Sequence, residues 1–381
     1  MPHEIAKESR GGAAAVGPFR FADALGPEKI LEIYEPRIGL KAVVVIDNVA
    51  CGHAIGGIRM APDVGVEECF RLARAMTLKN AAAGLAHGGG KSVIFGDPRV
   101  APAEKERTIR AFARAIRDLV NYIPGPDMGT DEQCMAWTKD EIGRAVGLPS
   151  EIGGIPLDVV GATGFGLCAA VDVAKEFCNL TLSGARVAVQ GFGAVGKHAA
   201  RFLAEKGAVL VAASDSGGTL VDRNGIDVAR LIAHKDAGRS VIEFAAGERF
   251  AADAIIDVDC DIWIPAARPD VLHANNVERL KAKLVPQGAN IPATTEAETI
   301  LHERGILVIP DFVANAGGVI CAAVEYHGGT QASAFATISE RIRANTRQVL
   351  ENARQSARCP REAALDLAHR RIRRAMTYRR A

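Results

Sequence analysis

The sequence predicts an α/β protein of two domains, the second of the Rossmann, dinucleotide-binding type. Three observations carry this. At 381 residues the chain is longer than one hydrophobic core ordinarily serves. Beyond Pro156, short apolar runs alternate with helix-like stretches, the pattern of β-α-β units. Finally, Gly191-Phe-Gly-Ala-Val-Gly196 lies between a strand, Arg186 to Gln190, and a helix reaching about Lys206. A second strand, Ala208 to Ala213, follows and ends near Asp215, 19 residues past the last glycine. Alone, Gly-x-Gly-x-x-Gly says little; in this setting it is the dinucleotide fingerprint. Gly191, Gly193 and Gly196 let a pyrophosphate reach the amides around Ala194 and Val195, where the helix dipole favours an anion. Asp215 would accept hydrogen bonds from the adenosine ribose and repel a 2′-phosphate, which favours NAD, with NADP possible. A Gly- and Pro-rich stretch, Pro149 to Pro156, reads as a hinge. We therefore expect one domain over 18–150, the dinucleotide-binding domain over 155–320, and C-terminal helices (325–381) packing back on the first.

Composition narrows the function classes. The chain is 48% hydrophobic and 24% charged, with 46 basic against 45 acidic residues. No bulk field marks nucleic acid as a partner, and no apolar run approaches a membrane span. Arginines crowd the last dozen residues and read as the end of a helix whose dipole they suit. The N-terminus lacks a signal-peptide apolar segment, and residues up to about Gly17 read as loosely ordered. Eight cysteines without a C-x-x-C pair suggest reduced thiols and a cytoplasmic protein. With no paired histidines either, no metal site is expected.

Taken in order, Phe19 to about Gly39 reads as helix-like and leads to a strand, Lys41 to Ile46. The paired glycines of Ala54-Ile-Gly-Gly-Ile-Arg-Met60 suggest backbone brought close to another segment or a ligand. A helix spans Val66 to about Ala83. At helical spacing, Lys79 shares a stripe with Leu72, Met76 and Ala83, so it lies where an apolar residue belongs. Lys91 follows three glycines and opens a strand to Phe95. Singly, Lys79 could snorkel and Lys91 sit exposed; together, around Gly-Gly-Gly, two inward ammonium groups point to an anionic substrate. A helix follows over Ala103 to about Val120. Asp127 then lies in the rigid Pro124-Gly-Pro-Asp-Met-Gly129 loop before a helix that starts at Thr130, which forms a capping box with Gln133. With Thr130 as cap, Asp127 is free for another task. Ala254–Val258, Ile262–Ile264, Leu284–Val285 and Ile306–Ile309 read as further parallel strands. Asn290 and Asn315 lie in post-strand loops, where open α/β sheets bind ligands.

Together these segments resemble the glutamate/leucine/phenylalanine/valine dehydrogenase family. The matching motifs are Gly56-Gly-Ile-Arg-Met60, Met76-Thr-Leu-Lys-Asn80, Gly88-Gly-Gly-Lys91, Pro126-Asp-Met-Gly129, Gly161-Ala-Thr-Gly-Phe-Gly166, the Gly191 loop, Gln287-Gly-Ala-Asn290 and Ala314-Asn-Ala-Gly-Gly-Val319. They recur in family order over nearly the whole chain. The resemblance implies an N-terminal α/β substrate-binding and oligomerisation domain, a Rossmann-type domain, and a homo-oligomer, hexameric or octameric. It implies reversible oxidative deamination: an L-amino acid and NAD(P)+ give a 2-oxo acid, ammonium and NAD(P)H. Lys79 would bind the substrate α-carboxylate. Lys91, with a lowered pKa, would activate the water that hydrolyses the imine, and Asp127 would carry protons to and from nitrogen. Thr163 would meet the nicotinamide amide. Ala266 would line the cofactor site, and Asn290 would orient the nicotinamide ribose or the substrate.

By the same resemblance Ile55 and Ala322 occupy the positions that bind the side-chain carboxylate in glutamate-specific members, where a lysine and a serine stand. With Gly56, Gly57, Met76, Gly125 and Val319 nearby, the pocket reads as apolar and favours leucine, valine, isoleucine or phenylalanine. Gly-Ala-Asn-Ile-Pro and Ser214-Asp-Ser216 look closer to the glutamate branch, so a glutamate dehydrogenase with a relocated cation, such as Arg268, is the alternative. A catalytically silent dinucleotide-binding subunit is a third reading, and intact Lys79, Lys91 and Asp127 speak against it.

Overall fold

The computed structural model describes residues 17–379. Its first unit comprises β1 (Lys29–Glu35), β2 (Leu40–Asn48), β3 (Ala54–Ala61), α1 (Val66–Ala82), β4 (Gly88–Phe95), α2 (Pro102–Ala115), β5 (Tyr122–Pro126) and α3 (Glu132–Ile142). The strands form one mixed sheet in the order β1-β2-β4-β3-β5. Strands β1, β2 and β4 run antiparallel, and β4, β3 and β5 run parallel. The apolar run of β2 is buried on both faces. Val43 and Val45 meet Phe70 and Ala73 of α1, while Ala42, Val44 and Ile46 meet Ile109 and Phe112 of α2. A period of two places these sets on opposite faces of the sheet.

Several expectations change here. The segment before Gly39 is a short 3-10 turn, Gly17–Phe21, followed by β1, rather than a helix. Its alternating Lys-Ile-Leu-Glu-Ile-Tyr-Glu suits an edge strand that buries one face. Helix α2 ends at Ala115, earlier than expected. The three glycines are the first residues of β4. A β-carbon on Gly89 would fall 2.0 Å from the Thr77 nitrogen of α1, and one on Gly88 would fall 1.9 Å from the Asn48 carbonyl oxygen. The missing side chains let α1, with Lys79, lie directly on the strand that carries Lys91.

The second unit contains α4 (Leu157–Val160), α5 (Ala162–Ala174), β6 (Arg186–Gln190), α6 (Ala194–Ala204), β7 (Val209–Asp215), β8 (Gly218–Val221), α7 (Val228–Asp236), β9 (Glu248–Phe250), β10 (Ile262–Pro265), β11 (Leu284–Pro286), α8 (Thr295–Glu303), β12 (Leu307–Ile309) and α9 (Asp311–Ala314). Its sheet order is β12-β11-β10-β6-β7-β8-β9. The first five strands are parallel, and β8 and β9 add an antiparallel edge that the sequence reading lacks. Ala254–Val258, expected as a strand, is mostly a 3-10 turn over Ala252–Asp257. The strand order reverses between β6 and β10, which opens the crevice where such sheets bind ligands.

Three helices close the chain: α10 (Gly317–Tyr326), α11 (Gln331–Ser356) and α12 (Pro360–Met376). Helix α12 packs on α1 of the first unit, as the sequence led us to expect, whereas the longer α11 packs on α5 of the second unit. Arg371 of α12 donates to the Ala81 and Ala82 carbonyls at 3.1 and 2.7 Å, satisfying the last turn of α1. The Glu325 carboxylate of α10 accepts from the Leu148 and Ile155 amides at 3.2 and 2.8 Å, just before the expected hinge and near its end. All eight cysteines are free thiols. Among the described residues no helix is long and apolar enough to cross a membrane, and no group of three or more His, Cys, Asp or Glu side chains could hold a metal ion.

Candidate active site

Lys91 points from mid-β4 and is 4% exposed. Its ammonium meets Asp127 Oδ1 at 2.9 Å. The other carboxylate oxygen accepts from Arg59 Nε of β3 at 2.7 Å, and Arg59 also bonds Glu68 on the first turn of α1. Burial pushes the Asp127 pKa up, but Lys91 and Arg59 outweigh it and hold the carboxyl below its ordinary range. Arg59 stands in the Gly56-Gly-Ile-Arg-Met60 motif, where nothing local marks it as functional. Only the parallel pairing of β3 with β5, Ile58 beside Pro126, sets it against Asp127.

Thr130 does not cap α3. Asp131 does, accepting from the Cys134 amide at 2.9 Å. The Thr130 hydroxyl instead accepts from the Asp127 amide at 3.0 Å and donates to the Ile58 carbonyl at 2.7 Å, tying the loop to β3. Asp127 is freed from capping, by a different residue than expected.

Gly57 is fixed by this cluster. A β-carbon there would fall 2.7 Å from Asp127 Cβ and 3.2 Å from Lys91 Nζ. Gly56 is fixed from the other side, 1.7 Å from the Gly90 carbonyl oxygen by the same construction. We expect Gly57→Ala to lower kcat/KM for substrate about 100-fold, since displacements near 1 Å cost that much in a catalytic constellation. Cofactor affinity should stay within about twofold; stopped-flow turnover and cofactor titration check both.

Lys79, near the end of α1, is half-buried and has no carboxylate within 4.0 Å among the described residues. Burial is the main reason its pKa falls from 10.5 to about 8; Lys91 adds to the fall, while Asp311 and Asp127 oppose it. Lys91 meets the Asp127 carboxylate at 2.9 Å, and Lys79 meets none among the described residues. Arg59 and Lys91 pair with Glu68 and Asp127, whereas Lys79 has no such pair among the described residues.

The positions expected to read the substrate side chain are apolar. Ile55 and Ala322 are 3% and 5% exposed and share one cluster with Ile123, Val146 and Ile155. A β-carbon on Gly125 would touch Val146 at 3.1 Å. Met76 and Val319 are half-buried. Arg268 is exposed on the loop after β10.

At the switch point Gly191, with φ of +92°, packs against Ala267, where a β-carbon would fall 2.7 Å away. Gly196 lies under the Gly191 carbonyl, and Gly193 faces open space. Helix α6 has no side-chain N-cap, so the amides from Ala194 and Val195 onward have no side-chain acceptor. The Ala266 amide donates to the Gln190 carbonyl at 2.7 Å, joining β10 to β6 beside this loop. Thr163, on the first turn of α5, lies beside Gly318, whose added β-carbon would be 3.0 Å from its hydroxyl. Asn315 donates through Nδ2 to Gly288, Ala289 and Asn290 Oδ1, the last at 3.0 Å. Its Oδ1 is buried with no partner. An uncapped helix, an open glycine and an orphaned acceptor fit a dinucleotide with a carboxamide N–H to offer. Asp215 fits less simply. Lys235 at 2.6 Å, Ser240 at 2.7 Å, and the Gly217 and Val241 amides at 2.9 Å surround its carboxylate. A ribose would have to displace or share these donors.

Residues 27–144 match the dimerisation domain of the Glu/Leu/Phe/Val dehydrogenases, and residues 153–380 match their glutamate/leucine/phenylalanine/valine dehydrogenase domain. The chain belongs to the glutamate/leucine/phenylalanine/valine dehydrogenase family. It is an amino acid dehydrogenase. Glutamate dehydrogenase of Aeropyrum pernix is 38% identical over 355 residues, 87% of this chain and 85% of that one. The hetero-hexameric glutamate dehydrogenase of Thermus thermophilus, in its Leu-bound form, superposes with a TM-score of 0.86 at 28% identity, covering 97% of this chain and 94% of that one. L-tryptophan dehydrogenase of Nostoc punctiforme gives 0.71 at 27% identity, with 92% and 97% covered.

Proposed function

We propose that this dehydrogenase deaminates an L-amino acid with an apolar side chain, using NAD or, failing that, NADP. Lys79 carries the reading: a half-buried ammonium with no carboxylate within 4.0 Å among the described residues suits a substrate carboxylate. Asp127, held by Lys91 and Arg59, stands ready to pass protons at the substrate nitrogen. Lys91 would direct water onto the carbon that loses nitrogen. The bound nicotinamide would accept the hydride. Thr163, Asn290 and Asn315 would orient it, and the Gly191 loop would seat its pyrophosphate.

The apolar choice rests on Ile55 and Ala322, because a γ-carboxylate buried there without a cation would cost several kcal/mol. Identity to a named glutamate dehydrogenase favours the second reading, glutamate held by a cation elsewhere. We take 18–150 with 325–381 as the substrate-binding and oligomerisation unit and 155–320 as the dinucleotide-binding unit, in a homo-oligomer. The hexameric relative supports the oligomer, and the free thiols suit a cytoplasmic setting.

The test is cofactor reduction with NAD+ or NADP+ and each of L-leucine, L-valine, L-isoleucine, L-phenylalanine and L-glutamate at alkaline pH. Apolar substrates should exceed glutamate at least 100-fold in kcat/KM, and Ile55→Lys with Ala322→Ser should narrow that ratio. Turnover of glutamate alone would overturn the apolar reading, and silence on all five would overturn the substrate assignment.

A further inference from the structure

Lys79 has a carboxylate near it that it does not touch. Helix α9, which begins at Asp311, packs on α1, and Asp311 is the acid whose field bears most on the Lys79 ammonium. What restrains it is Arg361, on the first turn of α12. Arg361 Nη2 donates to Asp311 Oδ1 at 2.8 Å, to Gln287 Oε1 at 2.8 Å and to Glu298 Oε1 at 2.9 Å. Its Nε donates to Glu298 Oε2 at 2.5 Å. The second Asp311 oxygen accepts from the Ile291 amide at 2.8 Å, next to Asn290. Both oxygens of Asp311 are thereby engaged away from Lys79.

The network is desolvated, with side chains of Arg361, Glu298 and Asp311 20%, 6% and 7% exposed. Two acids share this one guanidinium. In such surroundings a charge freed from its partner turns to the nearest opposite charge, because leaving it unpaired is costly. Helix α12 also grips the end of α1 through Arg371. One helix therefore fixes both Asp311 and the helix that carries Lys79.

We propose that Arg361 is a positioning residue for substrate: it holds Asp311 back, so that the Lys79 ammonium stays clear for the amino acid carboxylate. This rests on Lys79 binding that carboxylate. With Arg361 gone, Asp311 turns to Lys79 and competes with substrate.

The experiment uses the full-length protein and its best substrate from the cofactor-reduction screen. Arg361→Met should raise KM for the amino acid at least tenfold, with kcat and the cofactor KM each within threefold of the parent. Arg361→Lys should stay within threefold on all three. Adding Asp311→Asn to Arg361→Met should return KM to within threefold, because the competitor is gone. An unchanged KM in Arg361→Met, or a double variant as impaired as the single one, overturns the proposal; a merely structural role would give the latter. Should Arg361→Met fail to fold, Arg361→Gln takes its place, alone and with Asp311→Asn, under the same KM criteria: an unchanged KM in the single variant, or a double variant as impaired as the single one, overturns the proposal. Failure of the underlying reading shows separately, as an unchanged KM in Lys79→Met.

Discussion

Lys91→Ala should lower kcat at least about 1,000-fold, within the range set by loss of a positioned acid–base group, and leave NAD affinity within about threefold. Lys91 lies on β4 of the first sheet, while the Gly191 loop belongs to the second, so the variant leaves the dinucleotide crevice untouched. The fold should tolerate it. Removing one partner of a buried ion pair typically costs about 3–5 kcal/mol because the other charge is stranded. Here Asp127 keeps Arg59 at 2.7 Å, which holds the cost below that range. Single-turnover kinetics and cofactor fluorescence titration separate the two effects. A loss of NAD affinity as large as the loss of kcat would place Lys91 against the cofactor and sink its assignment to water activation.

Lys79→Met should raise KM for the amino acid roughly 10- to 150-fold, the equivalent of one charge-assisted hydrogen bond of about 1.5–3 kcal/mol. The same change should stabilise the ligand-free protein. Below pH 8 both folded and unfolded chains carry a protonated Lys79, and the folded one bears the burial penalty that lowers its pKa from 10.5 to about 8. The variant is then ahead by at most about 3.4 kcal/mol, and by less because the side chain is only half-buried. Between pH 8 and 10.5 the unfolded chain holds a proton the folded one has released, so wild-type stability rises relative to the variant and the gap closes. Urea unfolding at pH 7, 9 and 10 measures it. A gap independent of pH, or a variant less stable than wild type at pH 7, would remove Lys79 from the list of strained functional groups.

Both effects come from residues that the sequence flagged as misplaced. A lysine on an apolar helical stripe and another beside three glycines violate local patterning, and such violations are visible without coordinates. The dinucleotide crevice was legible for a similar reason: glycine spacing, a preceding strand and a following helix are all local. The C-terminal helices were legible from their length and their cations.

What the sequence could not supply were relations between distant segments. Arg59 became part of the site only when β3 and β5 paired in parallel. Asp311, Glu298 and Gln287 met Arg361 only when α12 folded back across the second sheet. That Gly89 makes room for Thr77 of α1 was visible only once α1 packed on β4. Asp215 shows the opposite limit, since its spacing marks a ribose acceptor while its surroundings supply four other donors. Spacing along the chain thus determined which groups are chemically unusual. The tertiary structure decided which of them have partners, because partnership is set by distance and by exclusion of water, and neither is a property of a one-dimensional sequence.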